Sequence, residues 1–290
     1  MSAYYATHSS TTDPGAYASL LDGLPADLAG IARVSQGLVY HYFGDEQFYG
    51  WKPPAARLAE INSRTMARIL ATLQEKDNRP LTEPRAYADR MVGCCRDFSL
   101  IACAILRSQG RAARLRYGFA DYFVPGPWWM DHVIVEVWEE TGEGGRWRRF
   151  DPELPAAGDW PFDPLDMPAE PFVTGGRAWQ MCRAGEAKPQ HFGLGPDNEH
   201  VRGWWFIRER LQLDVAALNK VELLCWDSLE TLSEERPADL LILDEMAALS
   251  QRPDSAALRA RCAEDEAWRL PDAVRCFHPA AGESMVAIAP

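Results

Sequence analysis

The stretch from Gly93 to Gly110, Gly-Cys-Cys-Arg-Asp-Phe-Ser-Leu-Ile-Ala-Cys-Ala-Ile-Leu-Arg-Ser-Gln-Gly, constrains the fold more than any other. Phe98, Ile101, Ala102 and Ile105 recur at the spacing of one helical face, Leu106 widens that face, and Gly110 is a stop signal. The pattern predicts a buried helix from about Cys95 to Gln109. Its first turn carries Cys95 on the same side as Phe98 and Ala102. A cysteine there faces the positive end of the helix dipole and several unpaired backbone N–H groups, an environment that lowers a thiol pKa and makes a nucleophile. The bland alternative is a small buried residue.

After Gly110 the period changes from helix to strand. Ala113, Leu115, Tyr117 and Phe119 alternate with Arg114, Arg116 and Gly118, which predicts a half-buried strand. Asp131 to Trp138 is a second strand, Gly142-Glu143-Gly144-Gly145 a hairpin turn, and Arg146 to Asp151 a third strand stopped by Pro152. A helix followed by an antiparallel meander predicts an α+β fold, with the cysteine helix packed on the sheet and further helices at both ends.

Around this core the reading is coarser. Residues 1 to 16 read as a loosely held leader. Helices are expected from Leu24 through Phe43 and as one long amphipathic segment from Ala55 to Gln74, with a loop at 44–54 between them. Further helices are expected near Gly176–Ala184, Leu240–Leu249 and Ser255–Glu264; Val201–Leu213 reads as an aromatic stretch followed by a segment at Val215–Leu224, and Phe277 to Pro290 reads as a strand or a tail. The segments after 152 are too aromatic for a spacer. We therefore expect one domain over 1–290, with a motif core at about 85–155, a helical part at 1–84 and an elaboration at 156–290.

Composition excludes several classes. The 290 residues are 47% hydrophobic and 25% charged, as in a globular chain, and the net charge of −12 leaves no basic stripe for nucleic acid. No apolar run is long enough to span a membrane and no signal peptide is seen, so a cytoplasmic setting is expected. The seven cysteines, at 94, 95, 103, 182, 225, 262 and 276, include no Cys-x-x-Cys pair, so neither a zinc knuckle nor a disulfide framework is signalled.

Three residues stand in three successive core elements: Cys95 opens the helix, His132 opens the second strand and Asp151 ends the third. If the two strands pair as a hairpin, His132 lies near Phe150 or Asp151 across the ladder. A carboxylate there fixes the imidazole tautomer and stabilises the imidazolium, which can hold a thiol proton.

These residues resemble a known family. Gly93 to Ser99 with Leu106 to Arg114 resembles the nucleophile segment of the transglutaminase-like superfamily; Asp131 to Trp138 resembles its histidine strand, and Trp147 to Pro152 its aspartate strand. The resemblance covers roughly residues 85 to 155. It implies a papain-like α+β fold and a Cys-His-Asp triad that handles amides through an acyl-thioester. The flanks resemble a set of bacterial members, not the calcium-dependent animal enzymes.

The family spacing selects Cys95 over Cys94, and a helix turns about 100 degrees per residue, so both cannot face His132. Cys103 reads as core. Asp97 reads as a dipole partner and Arg96 as an exposed helix arginine. Candidate substrate-binding residues are Trp128 and Trp129, just before His132, and Trp51 and Gln36 as second oxyanion donors, although packing roles suit the last two better. Trp204, Trp205 and Phe206 read as core, and His41, His191, His200 and His278 as surface or capped histidines. The expected activity is a cysteine-dependent amide hydrolase or acyltransferase acting on a small-molecule, peptide or thioester substrate, with no metal or organic cofactor called for. The alternatives are a binding scaffold on a retired catalytic fold and a redox sensor using Cys94 and Cys95.

Overall fold

The computed structural model describes residues 2–43, 50–142 and 144–288. The first part of the expected loop at 44–54, and Glu143 of the expected hairpin turn, lie outside the described residues.

After a short helix α1 (Ser2–Tyr5), helix α2 (Leu28–Leu38) starts where Asp27 accepts a hydrogen bond from the Gly30 N–H at 2.8 Å. The helix does not continue to Phe43 as expected. Val39–His41 becomes strand β1, since a parallel partner, β2 (Met91–Gly93), is available to a β-branched and aromatic segment. The long helix expected over Ala55–Gln74 is two elements, a 3-10 helix (Ala55–Asn62) and helix α3 (Met66–Lys76). Thr65 starts the second by accepting from the Arg68 N–H, while the Ser63 and Arg64 carbonyls turn away to receive Arg96.

Helix α4 (Cys95–Ser108) follows β2 directly. Then come strands β3 (Ala113–Ala120), β4 (Trp129–Glu139) and β5 (Arg146–Phe150). With β6 (Phe172–Thr174) they form an antiparallel sheet in the order β5-β4-β3-β6, and β7 (Phe192–Gly193) adds in parallel at the start of β4. The result is a mixed α+β fold.

Strand β3 is buried on both faces, not half-buried. Leu115 and Tyr117 face the apolar cluster around α4. On the other face, Arg114 and Arg116 meet Glu136, and Arg116 forks onto Asp214 at 2.9 and 2.8 Å. Asp214 comes from helix α6 (Trp204–Leu218), which follows helix α5 (Gly175–Arg183). One helix thus replaces the two segments expected over 201–224. A second apolar cluster collects α5, α6, α7 (Pro237–Ser250) and α8 (Ala256–Glu264). A small sheet of β8 (Asp227–Ser228), β9 (Ala273–His278) and β10 (Gly282–Ala287) closes the chain.

The first residues are held, not loose. Tyr5 is fully buried and its hydroxyl donates to the Leu218 carbonyl at 2.6 Å. Ser9 and Thr11 donate to Glu222, which also pairs with Arg107 of α4 at 2.9 Å. A buried acid-base pair that needs hydroxyl donors to complete it draws the amino-terminal segment inward.

Candidate active site

The start of α4 is fixed by its own acidic residue. Asp97 accepts from the Cys94 N–H at 2.9 Å, closing the first turn. Burial pushes the Asp97 carboxyl up to about 6, against the opposing pull of Arg96. Arg96 is not the exposed arginine that the sequence suggested. It is fully buried, bonded to Asp97 at 3.1 Å and to the carbonyls of Arg64 and Glu222 at 2.6 Å each. Both of its terminal nitrogens are engaged, and it welds the start of α4 to the segment after α6.

Cys95 and Ser99 are four residues apart and share one helical face. Ser99 donates to the Val133 carbonyl at 2.8 Å, so this face is docked against β4 beside His132. His132 Nε2 is 2.7 Å from Asp151 Oδ2. The ladder is offset from the expected one: Phe150 pairs with Val135, and Asp151 lies just past the end of β5. The side chains meet because the chain leaves the strand there, with the Asp151 N–H donating to the Pro164 carbonyl at 2.8 Å.

Asp151 is fully buried and satisfied on both oxygens. Tyr122 donates to Oδ2 at 2.8 Å and the Glu153 N–H to Oδ1 at 3.0 Å. Burial disfavours the His132 imidazolium, but the Asp151 charge and its hydrogen bond outweigh that, and the pKa is raised to about 8. Phe123 and Tyr122 enclose the ring edge-on at 4.9 and 6.0 Å.

At the helix start, Cys94, Cys95 and Cys225 bring their sulfur atoms within 4.8 Å of one another. Cys225 is delivered by the segment after α6, which is pinned residue by residue. The Glu222 carbonyl takes Arg96, the Leu223 carbonyl takes the Tyr117 hydroxyl, and the Leu224 N–H donates to Asp227 at 2.9 Å. Asp227 in turn is forked by Arg64 at 2.6 and 2.8 Å.

This cluster reverses one sequence expectation. The Cys95 thiol is raised, not lowered, because it donates to Cys225 and is buried. The Cys94 thiol is raised for the same first reason. Cys225 is lowered, since both thiols donate to it and the Arg210 and Arg96 guanidiniums favour its anion.

The thiols open onto a cavity of about 530 Å³ lined in part by His41, Met130, Asp131, Trp205, Phe206 and Trp226. Asp131 is bound by Arg210 at 2.5 and 2.9 Å, and burial pushes its carboxyl up to about 6. Burial holds the His41 imidazole down at about 4, with the His132 charge acting in the same direction. His41 is therefore an inner histidine at the end of β1, not a surface one. Trp205 and Phe206 are cavity wall, while Trp204 packs on Trp179 at 5.2 Å.

The remaining sequence candidates lie elsewhere. Gln36 spends its amide on the Pro152 and Leu154 carbonyls at 3.0 and 2.9 Å, which holds the chain just after Asp151. The Trp51 ring meets Tyr40 edge-on at 4.7 Å, and its carbonyl accepts the Tyr40 hydroxyl. Trp129 stacks on Phe192 at 5.7 Å, and Trp128 meets His191 at 5.4 Å. None of these four lines the cavity. Cys103 is buried in the core with its thiol pushed up to about 12 by desolvation. Sequence reasoning missed Cys225, Tyr122 and the Asp131–Arg210 pair. The adjacency of Asp131 to His132 was the available signal for the last; Cys225 carries none.

Residues 45–152 match the family model described as the transglutaminase-like superfamily. A candidate cysteine protease from Cytophaga hutchinsonii, solved by crystallography at 1.9 Å, is similar over 59% of this chain and 44% of its own, at 18% identity and a TM-score of 0.34. This chain thus spans less than half the length of that structure. No curated protein matches. Among the described residues no helix is long and apolar enough to cross a membrane. The family that this chain resembles is the transglutaminase-like superfamily, over the residues that supply Cys95, His132 and Asp151.

Proposed function

We propose that the protein is a cysteine-dependent amide hydrolase or acyltransferase whose nucleophile is Cys95. One observation carries this reading: His132, paired with buried Asp151 at 2.7 Å, lies on the strand against which the Cys95 face of α4 is docked. Asp151 accepts a hydrogen bond from Nε2–H, which leaves Nδ1 to exchange a proton with the thiol. His132 accepts the Cys95 proton as sulfur attacks a carbonyl carbon, and passes it to the leaving nitrogen as the C–N bond breaks. Water or an amine then attacks the thioester, giving its proton to His132 and releasing Cys95. The Cys95 backbone N–H, at the first position of the helix, is aimed to stabilise the oxyanion. The cavity wall of Trp205, Phe206 and Trp226 suits an apolar or aromatic acyl group.

Acyl trapping tests the reading. The full-length protein is mixed with an activated acetyl ester, quenched in acid and mapped by mass spectrometry. One acetyl group on Cys95, absent in Cys95→Ala and slowed in His132→Gln, is expected. Acetylation confined to Cys225, or equal rates with and without His132, overturns it. Amides and amine acceptors screened with the same readout separate hydrolysis from transfer.

A further inference from the structure

The thiol cluster does more than the acyl chemistry asks of it. A single nucleophile needs one sulfur, whereas three converge here from two segments 130 positions apart in the chain, Cys94 and Cys95 from the start of α4 and Cys225 from the loop after α6. A tetrahedral zinc site has Zn–S bonds of about 2.3 Å, which sets its sulfur–sulfur edges at roughly 3.8 Å. The three sulfurs, all within 4.8 Å of one another, lie close to one face of such a tetrahedron before any ion is present. They are also not bridged: all three cysteines are free thiols.

Three successive residues before Cys225 are pinned by Arg96, Tyr117 and Asp227. Donors held in place before binding lose little freedom when the ion arrives. The cluster borders the cavity, so a fourth coordination position faces water or a small anionic ligand. Among the described residues no further cysteine, histidine or carboxylate joins the group, and soft thiolate donors select zinc over the hard magnesium and calcium ions.

We infer that Cys94, Cys95 and Cys225 form a binding site for one zinc ion with an open fourth position. On binding, the thiol protons leave to solvent and three zinc–sulfur bonds form, with no change of oxidation state. Because Cys95 is one of the donors, the ion and an acyl group exclude each other. The site itself stands independently of the acyl chemistry, since its test is spectroscopic.

The experiment uses full-length protein, reduced and stripped of metal by chelator, and titrated anaerobically with cobalt(II). Expected is one cobalt per chain, with an intense sulfur-to-cobalt charge-transfer band that zinc displaces. Cys94→Ser and Cys225→Ser should each weaken the band and lower affinity by more than about 100-fold, beyond what loss of an outer-shell partner costs. Cys103→Ser, in the core, should change neither, and circular dichroism confirms that each variant is folded. Absence of the band in the wild-type protein overturns the site. So does a band that persists undiminished in folded Cys94→Ser and Cys225→Ser. Zinc should also protect Cys95 from alkylation at one equivalent; cobalt binding without such protection would overturn the inclusion of Cys95. A protein that binds cobalt but forms no acetyl adduct separates this inference from the acyl reading.

Discussion

Strand β4 carries two buried ionisable residues four positions apart, and they live in opposite circumstances. Glu136 is closed in by arginines: Arg114 at 2.7 Å and Arg149 at 3.2 Å from the neighbouring strands, and Arg116 at 3.0 Å on the diagonal. Its carboxyl is held far below the usual range, burial notwithstanding, by those guanidiniums. Every charge there has a fixed partner, and none of the four lines the cavity. Among the described residues, His132 has a hydrogen-bond partner on one nitrogen, Asp151, and it lies beside a helix start that opens onto the cavity. The same strand therefore supports a sealed ionic network that specifies packing and a second group with exchange capacity left over. Burial and a perturbed pKa are common to both; the difference is whether pairing is complete and whether a nucleophile and a cavity adjoin.

The largest effect should come from the nucleophile. Cys95→Ala should cut any acyl turnover by on the order of 10⁴-fold or more, with an unchanged circular dichroism spectrum; retained turnover would move the chemistry to Cys225. His132→Gln should slow Cys95 acylation by about 10²–10⁴-fold, the usual worth of a positioned general base. The Glu136 region should behave in the opposite manner. Arg116→Leu strands Asp214 and part of the Glu136 charge, and should cost about 3–5 kcal/mol in urea unfolding. Its acylation rate under native conditions should stay within a few-fold of wild type. If Arg116→Leu spared stability and abolished acylation, the contrast between the two regions would fail.

A smaller effect concerns pH. The His132 pKa rises on folding from about 6.5 to about 8, so the folded state binds its proton more tightly. The resulting stability is fully present below about pH 6.5 and is lost as pH rises through about 8, with a size of about 2 kcal/mol. The urea-unfolding free energy of wild type minus that of His132→Gln should fall by this amount between pH 6 and 9. A difference that stays flat would mean that the imidazole gains nothing from Asp151. Smallest of all, Tyr122→Phe removes one donor to Asp151 and should cost about 1 kcal/mol, read as a shift in the urea midpoint.

The parts of this arrangement that follow from local periodicity were legible in the sequence. The apolar face of α4 and the alternation in β3 to β5 each state an element in a few residues, and they place Cys95, His132 and Asp151 on adjoining pieces of structure. What escaped depends on contacts distant along the chain. Val39–His41 is a strand only because Met91–Gly93 offers it hydrogen bonds. Arg114 and Arg116 looked solvent-facing because Ser255 and Asp214, which receive them, lie about a hundred residues or more on. Arg96 and the first twelve residues were misjudged for the same reason, since Glu222 organises both. Cys225 has no motif around it, and only the packing of α6 against β3 brings it to the helix start.

The central claim, that His132 governs the reactivity of Cys95, is tested most directly by the pH dependence of Cys95 alkylation. Limiting iodoacetamide is added to metal-free protein from pH 5 to 10, and peptide mapping reads Cys95, Cys94 and Cys225 separately in wild type and His132→Gln. The account predicts that Cys95 labelling in wild type rises through an inflection near pH 8, where His132 becomes free to take the thiol proton. That inflection should be lost in His132→Gln, leaving the slow, high-pH ionisation of a buried thiol. Identical Cys95 profiles in the two proteins would contradict it.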